Sequence, residues 1–256
     1  MAVLVDAEAL EAKVKQMYRD VALDPAGEFH FEMGRALAER LGYPPDDLDR
    51  VPAQAIDSFA GVGCFFELAA LEPGEVVVDL GSGSGMDSFV AALAVGPTGS
   101  VVGVDMTAEQ LAKAERLRAA GGFETIRYVR GYIEQTGLDD ELADCVISNG
   151  VFNLAPDKGR VFREAARLLV RGGRLAIADI VTDVELPESV VCNADLWAAC
   201  IGGAAQRDDY VRLVEGAGFE VVRIRDNPEY GFVSDRASGA TQKYGVRSIC
   251  LLAVKR

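Results

Sequence analysis

Residues 76–87 read VVVDLGSGSGMD. A short apolar run, acidic only at Asp79, enters glycines at alternate positions, Gly81, Gly83 and Gly85, and MDSFVAALAV follows. A short apolar run broken only by Asp79 predicts a strand buried on both faces, since neither face meets water. The glycines predict a tight turn, because only glycine adopts the required backbone angles without strain. The apolar stretch after them predicts a helix. Strand, glycine turn and helix open a βαβ unit with a ligand at the turn.

Working outward, the alternation continues. SVVGVD (100–105) reads as a second strand. A helix then starts at Thr107, with Gln110 three residues on as the partner in a capping box and Gly121 just past its end. IRYVRG (126–131) and DCVISNG (144–150) read as strands three and four. Residues 157–170 carry Val161, Phe162, Ala165, Leu168 and Leu169 on one helical stripe, closed by Gly172. RLAIADIV (174–181) reads as strand five. Repeated strand–helix alternation predicts an α/β fold: a mostly parallel, doubly wound, Rossmann-like sheet with helices on both faces. Upstream, residues 7–20 and 27–42 read as helices, and CFFELAAL after Gly61 and Gly63 as a further helical stretch. Downstream, helices are expected around 188–201 and 207–216, with strands at 219–225 and 248–254.

The chain has 256 residues and a formal net charge of −14, which argues against a polyanionic partner such as nucleic acid. No apolar run approaches the roughly 20 residues that cross a bilayer. The opening MAVLVDAEALEAK lacks the charged and apolar regions of a secretory signal, so a cytoplasmic location is expected. Five scattered cysteines, Cys64, Cys145, Cys192, Cys200 and Cys250, do not form a disulfide framework, and no CxxC pair suggests structural zinc. Cys145 and Cys250 lie inside strand patterns and read as small core residues.

The glycine spacing selects among ligands. A dinucleotide turn wants G-x-G-x-x-G, but here the third position is Met86, too bulky for close helix–strand packing. Asp79 and Asp87 flank the turn. Two carboxylates suit a ligand bearing an ammonium and a sulfonium better than a pyrophosphate. S-adenosylmethionine is such a ligand. Asp105, twenty positions after Gly85, stands where a ribose diol needs a carboxylate. That last feature is shared with nicotinamide folds, so an oxidoreductase is the competing reading, and a ligand-free turn or a non-catalytic binding protein are others. Binding of S-adenosylhomocysteine but not NADH would separate the enzyme classes.

Residues 75–181 resemble the seven-strand class I S-adenosylmethionine-dependent methyltransferases. The resemblance implies a methionyl site at Asp79, Gly81, Ser82, Gly83 and Gly85. It implies a ribose and adenine site at Asp105, Met106, Ile133 and Glu134, the last two within Gly131-Tyr132-Ile133-Glu134. Strand four would end under the transferring methyl at Ser148-Asn149-Gly150, with Asn149 toward the cofactor. It further implies an N-terminal helical lid over residues 1–60, a catalytic domain over 61–256, and substrate-side additions over 182–247.

The wording of VVDLGSGSGMDSFVAALAVGPTG, VVGVDMT, ISNGVFNLAPDKGRVFREAARLL, GGRLAIADIV and KYGVRSICLLAVK resembles the arsenite methyltransferase family more particularly. In that family three thiolates hold trivalent arsenic beside the methyl. Carried over by position, Cys64 and Cys200 match the first and third, as the catalytic pair, while Gly150 replaces the middle one. Phe65-Phe66 also replace the usual residues after the first cysteine. Soft thiolates suit a soft centre. An external thiol such as glutathione would be the third ligand, or Cys192, eight residues before Cys200, would supply a sulfur from the same helical side. A second reading keeps the cofactor and makes the acceptor a small organic molecule in an apolar pocket of Phe65, Phe66, Phe152 and Trp197. An oxygen acceptor would need a base, and the single histidine, His30, would serve.

Overall fold

The computed structural model describes residues 7–29, 31–191, 197, 201–231 and 243–256. Among these residues eight strands form one sheet: β1 (Val76–Leu80), β2 (Ser100–Asp105), β3 (Ile126–Arg130), β4 (Ala143–Asn149), β5 (Leu169–Thr182), β6 (Ala205–Gln206), β7 (Phe219–Asp226) and β8 (Arg247–Lys255). Seven lie in the order β3-β2-β1-β4-β5-β8-β7, and the two-residue β6 pairs with the end of β5. Strands β1 to β5 run parallel to one another, while β8 is antiparallel to both β5 and β7. This is the mostly parallel, doubly wound sheet that the alternation predicts.

The apolar runs have a direct physical outcome. In β1, Val77 packs into one core while Val78 and Leu80 pack into the other. In β4, Cys145 and Ile147 face the first core and Val146 the second. Both faces are therefore covered. Helices α6 (Met86–Val95) and α7 (Ala108–Gly121) pack on the first face with the N-terminal helix α1 (Ala7–Leu23). The second core takes α8 (Lys158–Leu168) and α10 (Arg207–Gly216). Between them in the chain, α9 spans Glu188–Val191. On α8 the stripe of Val161, Phe162, Ala165 and Leu168 is buried, and Asp157 caps the helix by accepting from the Arg160 amide at 3.0 Å. Truncating a buried phenylalanine such as Phe162 to alanine costs about 3–5 kcal/mol.

Several expectations need correction. The helix expected at 27–42 is only α2 (Arg35–Leu41), because Gly34 takes φ +87° and starts it late. Between α2 and β1 come α3 (Pro45–Leu48), α4 (Ala53–Asp57) and α5 (Phe66–Ala69), so CFFELAAL forms just one helical turn. Thr107 caps α7 without a side-chain bond, so the capping box is not formed, and the cap glycine is Gly122, one residue beyond Gly121. Among the described residues no helix is long and apolar enough to cross a membrane.

The strand order reverses between β1 and β4: β2 and β3 extend one way, β4 and β5 the other. Such a switch point leaves a crevice at the carboxyl ends of the strands, where ligands of open α/β sheets bind. The glycine turn after β1 stands at that crevice.

Candidate functional site

A cavity of about 990 Å³ opens at the switch point. Its wall is built from Gly81 to Ser84 after β1, Asp105 to Thr107 after β2, Gly131 to Gly137 after β3, and Asn149 and Val151 after β4. Helix α1 adds Glu8, Leu10, Glu11, Val14 and Tyr18.

Asp105 ends β2 with both carboxylate oxygens engaged. Oδ2 accepts from the Gly83 amide at 2.9 Å and Oδ1 from the Thr107 amide at 2.8 Å. Burial raises its pKa above the ordinary carboxylate value, while those amides oppose the rise. Each oxygen keeps a second lone pair, so the group can still accept from hydroxyls in the cavity. Ser82 also lines the cavity and is 8% exposed, and its Oγ is buried with no partner among the described residues.

Asp87, in the first turn of α6, lines the cavity beside the glycine turn. Tyr43 Oη donates to its Oδ1 at 2.6 Å and Asn149 Nδ2 to its Oδ2 at 3.0 Å. Asn149 also donates to Gly63 O at 2.9 Å and accepts from the Val62 amide at 2.7 Å. Asp79 lies deeper, outside the cavity wall, and accepts from Ser88 Oγ at 2.6 Å. Burial pushes Asp87 up to about 6. Burial, then the charge of Asp87, push Asp79 up to about 8. The two neighbouring acids thus form a buried acidic region with no ion pair among the described residues, and a positive ligand would favour their charged forms.

The glycines divide by role. Gly83 faces open space, with only Gln110 near the position of an added side chain. At Gly85 (φ +92°) an added carbon would collide with the Tyr128 hydroxyl, and Gly85 does not line the cavity. Its smallness therefore admits a protein ring, where the sequence suggested a ligand. Gly81, Ser82, Met106, Ile133, Glu134 and Asn149 all border the cavity. Glu134 is half-buried, and desolvation raises its pKa.

Helix α1 is tied down at its C-terminal end. Gln110 donates to Tyr18 O at 2.8 Å, Lys113 to Ala22 O at 3.3 Å, and Ser58 to Val21 O at 3.1 Å. Lys113 also bonds Ser58 Oγ at 2.7 Å. At the cavity mouth, Tyr132 Oη lies between Glu11 and Lys15, bonding each at 2.8 Å. These ties escaped the sequence reading. Gln110 stands in the place of a capping partner yet reaches Ser84 and Tyr18 instead. Asp87 is marked by its place beside the turn, but Tyr43 and Ser58 carry no motif that marks them.

Cys64 is buried and outside the cavity wall, and burial pushes its thiol up to about 12. Cys250 Sγ lies 3.4 Å from Cys64 O. Cys145 and Cys250 are buried in the core. Phe65, Phe152 and Trp197 are likewise buried in the packing and do not border the cavity, which corrects the aromatic acceptor pocket as drawn from the sequence. His30, Cys192 and Cys200 lie outside the described residues. Among the described residues no cluster of three or more metal-ligating groups is present.

Residues 71–218 match the methyltransferase-domain family. The arsenite methyltransferase of Halobacterium salinarum is 42% identical over 220 residues, covering 84% of this chain and 56% of the relative. That of Aquipseudomonas alcaligenes is 41% identical over 195 residues, covering 72% of this chain and 54% of the relative. The chain thus spans about half the length of these relatives. The crystal structure of an arsenic(III) S-adenosylmethionine methyltransferase from Chlamydomonas reinhardtii superposes with a TM-score of 0.64 at 30% identity, covering 88% of this chain and 75% of that one.

Proposed function

Because this chain belongs to the class I S-adenosylmethionine-dependent methyltransferase family, we propose that the switch-point cavity holds that cofactor and serves methyl transfer to thiol-bound arsenic(III). The observation that carries the cofactor site is the Asp105 carboxylate at the cavity wall, held by the Gly83 and Thr107 amides with lone pairs to spare. The donor set suits the ligand: a carboxylate for a diol, the unpartnered Ser82 hydroxyl, and the Asp87–Asp79 region for positive charge.

In this reading Asp105 holds the ribose, with Met106, Ile133 and Glu134 around the adenine. Gly81, Ser82, Gly83, Asn149 and Asp87 hold the methionyl end. Asp79 acts from behind, and Gly85 lets Tyr128 pack. Residues 1–60 form the lid, with α1 closing the mouth, and 61–256 the catalytic domain. S-adenosylmethionine, when bound, supplies a methyl on a positively charged sulfur. The protein's part is alignment and exclusion of water. Arsenic(III) attacks with its own lone pair, so no side chain has to remove a proton in that step. A buried thiol such as Cys64 enters the arsenic shell by condensation: its proton leaves with an arsenite hydroxyl as water.

Similarity to the arsenite methyltransferases supports arsenic as acceptor, with Cys64 and Cys200 as protein sulfurs and an external thiol or Cys192 as the third. One observation favours a small organic acceptor instead: Cys64 lies away from the cavity and Gly150 brings no sulfur there. A methyl-transfer assay with arsenite and glutathione on wild type, Cys64→Ser and Cys200→Ser tests both. Loss of methylarsenic product in the variants is expected. Full activity in both would end the thiolate site, and no arsenic product from wild type would leave the organic acceptor.

A further inference from the structure

Lys158 opens α8 immediately behind the loop that brings Val151, Leu154 and Ala155 to the cavity. The residue is only 8% exposed. Its Nζ donates to Ala155 O at 3.1 Å and stands 5.0 Å from the centre of the Trp197 ring. Among the described residues it makes no ion pair. The charges facing it are Asp157, at the cap of its own helix, and Asp179 on β5. Asp179 is itself bound by Tyr210 Oη of α10 at 2.6 Å and by the Ile180 amide at 2.9 Å. Trp197 in turn bonds Val191 O, and the backbone at Gly202 and Gly203 lies so close to the ring that a side chain would collide with it. One ammonium therefore contacts both a cavity-wall loop and the Trp197 ring. A cation over an indole face is attracted by the ring quadrupole, strongly so where water is excluded.

We propose that Lys158 is a positioning residue: its ammonium clamps the loop at Ala155 to the Trp197 ring and thereby sets the acceptor-side wall. This rests on the reading in which Cys200, three positions after Trp197 in the sequence, is a protein sulfur for the acceptor.

Trp197 is the only tryptophan in the chain, so intrinsic fluorescence reports the clamp directly. Burial pushes the Lys158 ammonium down to about 8. Asp179 is pushed up to about 6 and Tyr210 well above its ordinary value, so both fall outside a titration from pH 7 to 10. The expected wild-type result is one emission transition near pH 8. Lys158→Arg should hold the low-pH emission throughout, and Lys158→Met the high-pH emission throughout. In the arsenite–glutathione assay, Lys158→Met should raise the acceptor KM at least five-fold and leave S-adenosylhomocysteine affinity within two-fold. A pH-independent wild-type emission would overturn the clamp, as would a Met variant with unchanged emission. Equal losses in acceptor KM and cofactor affinity would overturn the acceptor-side role. If wild type does not methylate arsenite, the acceptor reading fails while the emission series still decides the clamp.

Discussion

The Asn149 side-chain amide, at the end of β4, donates to the Asp87 carboxylate at 3.0 Å in the first turn of α6. With Tyr43 on the other oxygen at 2.6 Å, two neutral donors fix the carboxylate without cancelling its charge. A buried, oriented and uncompensated carboxylate at a cavity wall is complementary to a cation. Asp87→Asn should therefore weaken S-adenosylhomocysteine, which retains the ammonium, by at least about ten-fold, or roughly 1.4 kcal/mol. Calorimetry reads this directly. An affinity within two-fold of wild type would assign Asp87 to packing alone.

Asp105 faces the cavity from a different strand and its loss should be more severe. Hydrogen bonds to a charged acceptor contribute roughly 1.5–3 kcal/mol each. Asp105→Ala would remove two such bonds to a diol and also release the Gly83 and Thr107 amides. At least a hundredfold loss of S-adenosylmethionine affinity is expected. Asp105→Asn, which keeps an acceptor oxygen but no charge, should fall between. Equal affinity in all three proteins would take Asp105 out of the site.

Asp79 makes stability depend on pH. Its folded pKa, near 8, lies above the ordinary value of 3.8. The folded state therefore holds the proton more tightly than the unfolded one. The resulting stabilisation is complete below the unfolded pKa and is lost as pH rises through the folded pKa. The ligand-free protein should lose melting temperature between about pH 4 and pH 8 from this group. Asp79→Asn should flatten that slope and melt at least about 3 °C higher than wild type at pH 8. A variant that melts lower at pH 8, with the wild-type slope kept, would contradict the assignment.

The fold was legible because β1 carries Val76, Val77 and Val78, and β4 Cys145, Val146 and Ile147, as consecutive apolar residues, a pattern that suits a strand covered on both faces. Asp105 was legible because its distance from the glycine turn is set by one helix and one strand. The Asp87 network was half legible. Asp87 is adjacent to the turn, but Tyr43 comes from 44 residues away, and nothing local records that meeting. Gln110 shows the opposite failure. Its spacing from Thr107 fits a capping box, yet tertiary partners Ser84 and Tyr18 claim its amide. The position of Cys64 could not be read either. Its motif places it near the site in sequence, while in the fold its carbonyl is bonded by Arg225 of β7 and Cys250 of β8.

Gly150 offers the last test. By the resemblance it stands at the middle cysteine position of the arsenite methyltransferase family, and by position alone Gly150→Cys would add a third sulfur. The local structure argues otherwise. Gly150 has φ +70°, a left-handed conformation that costs other residues roughly 1–2 kcal/mol. Its amide is fixed to Ala178 O at 2.8 Å, so the angle cannot relax freely. An added carbon would stand 3.2 Å from Val62 Cγ1. Val62 cannot retreat easily, because its amide is held by Asn149 at 2.7 Å and its carbonyl by Ser248 at 2.6 Å. Gly150→Cys should therefore lower stability by about 1–3 kcal/mol in urea unfolding. Pairing it with Val62→Ala removes the contact but not the backbone strain, so the double variant should still carry the left-handed penalty and have room for the new sulfur. Mass spectrometry should then find more arsenite retained by the double variant than by Gly150→Cys alone. A single variant as stable as wild type would mean that Val62 does not guard this position.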